Sequence, residues 1–545
     1  MSRRALLAAL ALSLAARAQG RPDEDALFGG TPDAGTRAPP PSEAVVPGGS
    51  PDTGAGPGLL RGPGQESRGL DAAASSDAFA SGRVQEDPLK IGGLFYTRFF
   101  LTTLQNQPFN RSTVSFPTLV DVYLDARPMD RLRAFVLGRL TYDPFFAVTV
   151  GGTALPGVPA STSVSNPAVV LDQAWLSFDL GRAVFLTVGR QHVKWGVGRF
   201  FTPTDFLASQ PRDPLALFDS RLGVTMIRAQ VPWERAGWNF TAIALFEPTQ
   251  LVGGGYSGSA AVENPGSQGI NPTGSTGTEL RDVGGALRAE FAFKQGAFGL
   301  DGLVQRDRAP RAGADVTMSL GDFDIYGEVA WKEYSDAPSS RTFDVTTQVN
   351  LSGQTIPGNP PIVLPPGTYL PVTSRVSVAI PPRSQPVVQA TGGVTYSLNL
   401  EGNKSLTFGA EYFYNSASYS RSEYLGLLLV RGFQPFYVGE HYLALSATLL
   451  DTTAKTTWVL SGIGNLSDAS YVARLDFVVS VLSYLSVEAY VAGHFGQTGG
   501  ELRLGFPQTT LGPPLVTGLP PGTPFVFGPV NPPVLDVGVG LRLSI

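Results

Sequence analysis

The sequence predicts an all-β protein: a transmembrane antiparallel up-and-down β-barrel of about 18 strands, with sixteen as the alternative count, behind a disordered N-terminal linker. Three observations predict it. Charged residues make up only 16% of the 545, against about 25% in soluble domains. A water-exposed surface would be hard to cover with so few. No apolar run after the first twenty residues reaches the ~20 residues that a membrane helix needs. From residue 89 onward, apolar residues alternate with polar or small ones, which is the period of a sheet with one apolar face. Such strands hide their apolarity from bulk hydropathy, and mean hydropathy here is +0.05.

Residues 1–18 read as a secretory signal. Arg3 and Arg4 supply its positive start, Ala5–Ala16 its apolar stretch and Ala16-Arg17-Ala18 its cleavage site. Residues 19–87 form a Pro/Gly/Ala-rich segment with few aromatics, exemplified by Pro39-Pro40-Pro41. That composition cannot bury enough apolar surface to offset chain entropy. It is expected to be a disordered periplasmic linker. A plug or a tether to the cell wall is the alternative. The barrel is expected over 88–545.

Eighteen candidate strands follow: 89–103, 116–126, 131–142, 170–180, 184–195, 221–231, 238–246, 281–293, 298–306, 314–320, 323–334, 387–400, 405–415, 440–450, 456–464, 470–481, 485–495 and 534–545. Most approach the ~9–11 residues of a tilted membrane strand. Their connections alternate between short turns and long loops. Two loops of the long class, 307–313 and 465–469, are themselves short. Outer-membrane barrels have short periplasmic turns and longer extracellular loops, and an even strand number returns both ends to one side. Closure also removes the sheet edges that lipid does not tolerate. The last strand alternates most clearly. Leu535, Val537, Val539, Leu541, Leu543 and Ile545 share one face, and Asp536, Gly538, Gly540, Arg542 and Ser544 the other. It resembles the C-terminal assembly signal of bacterial outer-membrane proteins, although those usually end in Phe or Trp.

Parity assigns the charged residues to faces, because a charge facing lipid at the midplane costs about 2–4 kcal/mol. The expected inward basic residues are Arg98, Arg131, Arg133, Arg139, Arg190, His192 and Lys194. The expected inward acidic residues are Asp282, Glu290, Asp324, Glu328, Glu411, Asp476 and Glu488. On this reading, strands 1–5 form a mainly basic wall and the later strands a mainly acidic one. Such walls would set a transverse field across a water-filled lumen. The alternative is that the charges neutralise one another.

The segment after strand 5 is the least repetitive. Gly189-Arg190-Gln191 leads to Trp195-Gly196, and then to Pro203-Thr204-Asp205. Asp213-Pro214 opens a short stretch with a helix-start signal. A GRQ-x-x-x-WG strand followed by a P-x-D loop resembles the outer-membrane porin superfamily, in porin-like barrels of uncharacterised substrate. Alginate-export-type and phosphate-selective porins are looser matches. The resemblance in particular residues spans about 170–232. It implies a third long loop that folds into the lumen and narrows it, lined by Arg199, Asp205, Arg212 and Asp213. An ordinary surface loop over the mouth is the alternative.

Other chemistry is sparse. The net charge of −5 gives no basis for nucleic-acid binding, which needs a clustered basic excess. With no cysteine, the chain has neither disulfides nor thiol chemistry. Its three histidines, His192, His441 and His494, lack zinc-ligand spacing. The Gly-rich stretch 253–258 lacks a phosphate-loop lysine. No enzyme activity, cofactor or metal is expected. The expected function is passive diffusion of small hydrophilic solutes or ions through a charged lumen in the bacterial outer membrane. The alternatives are a structural or surface-associated barrel that binds a polysaccharide or protein, and a substrate-selective exporter or importer. The expected partners are outer-membrane lipid and lipopolysaccharide, the barrel assembly machinery and the solutes. Homo-oligomer formation stays open.

Overall fold

The computed structural model describes residues 88–129, 131–145, 167–208, 212–215, 221–246, 280, 283–306, 308–335, 339–350, 355–356, 362–363, 365, 369–380, 385–420, 437–505, 509–511, 525–527 and 531–544. The signal and linker expectations over 1–87, and Asp282, lie outside these residues.

Eighteen antiparallel strands form one closed sheet. They are β1 Leu89–Leu104, β2 Thr118–Met129, β3 Leu132–Tyr142, β4 Ala168–Leu180, β5 Val184–Gln191 and β6 Val224–Trp233. Next come β7 Trp238–Leu245, β8 Gly284–Phe293, β9 Gly296–Val304, β10 Arg311–Leu320, β11 Phe323–Lys332 and β12 Val387–Leu400. The last six are β13 Lys404–Asn415, β14 His441–Asp451, β15 Thr456–Asn465, β16 Ser470–Leu482, β17 Leu485–Gly496 and β18 Pro533–Ser544. Each strand pairs with its sequence neighbours. The barrel closes where β1 meets β18, in a register that runs from Leu94↔Ser544 to Thr103↔Leu535. Every expected strand is present, with ends shifted by a few residues. The largest shift is in β5, which stops at Gln191 rather than 195. No helix of the described residues is long and apolar enough to cross a membrane.

The short-turn end is built from tight reversals. At Leu180–Ala183 the Ala183 N–H donates to the Leu180 carbonyl at 3.2 Å. Gly181 and Arg182 both take positive φ, at 63° and 58°. That sign pattern belongs to a type I′ turn, whose twist matches the flanking strands. The long-loop end carries extra structure outside the barrel. Two twelve-residue strands, Ser339–Asn350 and Tyr369–Ile380, pair antiparallel within a stretch expected to be loop alone. Thr113–Ser115 adds to the outer part of β1.

The two faces separate as the alternation requires. Phe95, Phe99, Val122, Leu124, Val136 and Leu140 are exposed on the outer face. Tyr96, Arg98, Asp121, Asp125, Leu137 and Arg139 are buried on the inner one. Trp233, Trp238 and Phe291 form an edge-to-face aromatic group near the short-turn end. Outward aromatics at such a height are the usual belt residues of a membrane interface.

A loop folded into the barrel as the candidate functional site

The chain leaves the sheet after Gln191 and rejoins it at Val224. Both stems of this loop are tied to one residue. Asp172 sits at a bulge in β4, where Leu137 pairs with Gln173 and Gly138 with Leu171. Its Oδ1 lies 2.8 Å from His192 Nε2 on the outgoing stem. The same oxygen accepts the Gly223 N–H at 3.0 Å on the returning stem. Asp205 ties the stems a second time, accepting the Trp195 N–H at 3.2 Å and Arg221 Nη1 at 2.9 Å.

Between the stems the loop crosses the interior. Trp195, Phe206 and Leu207 pack with Val224, Met226, Ile243 and Leu245 on β6–β7, and with Ala286, Leu303 and Ala330 further round. Phe200, Phe201 and Leu215 pack instead with Phe413, Tyr442, Ile463, Val472 and Tyr490 on β13–β17. The Phe201 ring stacks on Phe413 at 4.9 Å and 9°. Phe200, Phe201, Phe206, Leu207 and Leu215 are all 5% exposed or less. Burial of each such side chain favours the inside position by about 1.5–3 kcal/mol. Together they offset part of the freedom lost by ordering the segment.

Two wall carboxylates meet the backbone of the loop. Glu328 on β11 accepts the Gly198 N–H at 2.8 Å and the Thr204 N–H at 3.2 Å, and also bonds the Thr204 hydroxyl. Glu411 on β13 accepts the N–H groups of Arg199 (2.8 Å), Phe200 (3.1 Å) and Phe201 (2.7 Å), with the Tyr326 hydroxyl at 2.8 Å. Three successive N–H groups converging on one carboxylate make a strong, charge-assisted anchor. A side chain at Gly198 would run into the Phe201 carbonyl and Glu328, so the approach requires glycine there. On the other arm, Arg474 Nη1 donates to the Leu215 carbonyl at 3.1 Å.

The four loop residues singled out in the sequence all lie in this segment. Arg199 sits over the Tyr326 ring at 5.6 Å. Asp205 and Arg212 are buried. Asp213 accepts the Leu215 N–H at 2.9 Å, and burial raises its carboxyl above the usual range.

The wall residues divide. Arg98 is buried, 4.7 Å over the Tyr490 ring, and Glu488 next to it accepts the Tyr96 hydroxyl. Arg133 donates to Asp125 at 2.8 Å. Arg139 bonds Asp121 at 2.9 Å and Asp172 at 3.1 Å. Glu290 pairs with Arg288 at 2.8 Å, Asp324 accepts the Ser319 hydroxyl at 2.5 Å, and Asp476 pairs with Arg474.

Three readings need correction. Arg190 stands on the parity of Val188, whose side chain faces outward, and opposite Thr225 rather than Met226. The apolar series Val184, Leu186, Val188 marks the outer face of β5, and Arg190 continues it at the strand end. His192 and Lys194 lie past the last strand residue, so wall parity does not govern them. Arg131 sits in the β2–β3 turn, half exposed, and chelates Asp179 at the barrel rim.

The opposed basic and acidic walls are likewise not found. Asp121, Asp125, Asp172 and Asp179 stand among the arginines of β2–β4, and Arg288 and Arg474 among the acids opposite. Among the paired wall residues, Asp172, Asp179, Asp301 and Asp315 were missed. The bulge displaces Asp172 from simple alternation. The other three follow strand parity and were legible in it.

No family model matches the chain, and neither does any curated protein. Solved structures with a similar trace include Acinetobacter baumannii OccAB1, at 10% identity and a TM-score of 0.43, covering 84% of this chain and 96% of that one. Pseudomonas aeruginosa OpdK, solved with vanillate, gives 8% identity and 0.44, over 84% and 98%. A BenF-like porin from Pseudomonas fluorescens Pf-5 gives 10% and 0.44, over 84% and 99%. Likeness at this level leaves the functional argument to the residues of the chain itself.

Proposed function

We propose that this chain is an outer-membrane channel for passive diffusion of small hydrophilic solutes or ions. Its short turns would lie in the periplasm, its long loops outside, and the loop between β5 and β6 would narrow its lumen. The observation that carries this reading is the anchoring of that loop by Glu328 and Glu411 inside a closed eighteen-strand barrel. A barrel serving only as a surface scaffold has no need to fix a loop across its interior. A channel does, because such a loop sets the cross-section available to solute. Many wall charges are paired locally, within a strand or across adjacent strands, so selection would rest on local charge and width rather than on one field across the lumen.

The test is single-channel recording of the refolded barrel in planar bilayers. Discrete ohmic steps are expected, and deletion of residues 200–218 should enlarge them. Silence from an intact barrel would favour the scaffold reading.

A further inference from the structure

Three segments at the long-loop end meet at one residue. Tyr437, four residues before β14, takes a φ of 59°, unusual for a residue with a side chain. Its backbone N–H donates to Glu501 Oε1 at 3.0 Å, in the segment after β17. Its ring meets Phe201 edge-on at 5.1 Å and 66°. Its hydroxyl lies 3.2 Å from the Arg212 carbonyl and 3.4 Å from the Phe200 carbonyl. Those two carbonyls belong to opposite arms of the in-folded loop, and one phenolic proton serves both. Glu328 and Glu411 hold the first arm; the Tyr437 hydroxyl reaches the second as well.

We propose that Tyr437 is a positioning residue for the in-folded loop. It clips the two arms together and ties them to the segments that carry Glu501 and the start of β14. The width of the lumen then answers to those outer segments, so contact made at the cell surface reaches the narrowest part of the barrel. This rests on the channel reading and adds a means of regulating it.

The chain has no cysteine, so a single reporter thiol gives a clean signal. Ala208, in the loop and 8% exposed, is replaced by A208C in the full-length refolded barrel. Modification by a small thiol reagent then reports the fraction of time the loop is open. Adding Y437F, which keeps the ring and removes the hydroxyl, should speed modification about five-fold, the equivalent of one neutral hydrogen bond of about 1 kcal/mol. The thermal midpoint of the barrel should stay unchanged, since a merely structural role would move that instead. The Y437F single variant should show more brief conductance substates than the parent, without relying on the reporter. Equal modification rates with and without the hydroxyl would overturn the proposal, as would rapid modification of A208C alone. A parent barrel that is silent in bilayers would sink the channel reading and leave the labelling comparison to decide this one.

Discussion

The Glu411 carboxylate accepts the Phe201 backbone N–H at 2.7 Å, linking residues 210 positions apart across the barrel interior. Arg199 and Phe200 donate to the same carboxylate. Replacement by Gln would keep one acceptor oxygen and turn an amide group toward the remaining N–H donors. Hydrogen bonds to charged groups are worth about 1.5–3 kcal/mol each. E411Q is therefore expected to weaken loop anchoring by about 2–3 kcal/mol, seen as larger, noisier conductance steps. Unaltered steps would remove Glu411 from its anchoring role.

Arg139 is 1% exposed and lies between Asp121 and Asp172. Removing it leaves the buried Asp121 carboxylate without its cation and Asp172 with only His192 and the Gly223 N–H, a type of loss that costs about 3–5 kcal/mol. R139M should lower stability to denaturant by that order. Adding D121N should recover part of it, because one of the stranded charges is then gone. Additive losses in the double variant would show that the pair is not coupled.

Burial pushes the Glu501 carboxyl up to about 7, against the pull of its hydrogen-bond donors Tyr442, Val438 and Asn465. A raised carboxyl binds its proton more tightly in the folded segment than in the unfolded chain. Its contribution is thus full below about pH 4.5 and is lost as pH rises toward 7 and beyond, on the order of 3 kcal/mol in all. Amide exchange at Tyr437 and Val438, corrected for intrinsic rates, should be faster at pH 8 than at pH 5. E501Q should flatten that dependence.

Arg133 and Arg190 should behave differently. Arg133 is paired with Asp125 inside the barrel, while Arg190 lies on the outward parity. R133Q removes a positive charge beside Asp125, which keeps only Arg127 at 3.4 Å, and should shift selectivity toward cations by about two- to three-fold, the effect of a potential near one kT. R190Q should leave selectivity where it was. Reversal potentials in a salt gradient separate the two.

The barrel was legible because an apolar outer face imposes a rule at every second residue. Val120, Val122 and Leu124 could face only outward, so Asp121 and Asp125 had to face in. The same rule misled at Arg190, where charge was weighted above the apolar series beside it. The presence of an inward loop was suggested by Gly189–Gly196 and the residues after it. What holds it was not. Glu328, Glu411 and Tyr437 lie more than a hundred residues away in sequence, and nothing in local pattern says that a wall carboxylate will accept backbone N–H groups. Strand alternation is written locally, whereas the partners of a loop are set by where the closed sheet brings its far walls.

Asp172 grips the departing and the returning stem of the in-folded loop at the same oxygen. One carboxylate therefore clamps both ends of the insert at its base, and Asp205 holds the same stems a second time. Loss of the Asp172 carboxylate would release both ends of the insert together, leaving Asp205 as the other tie between them.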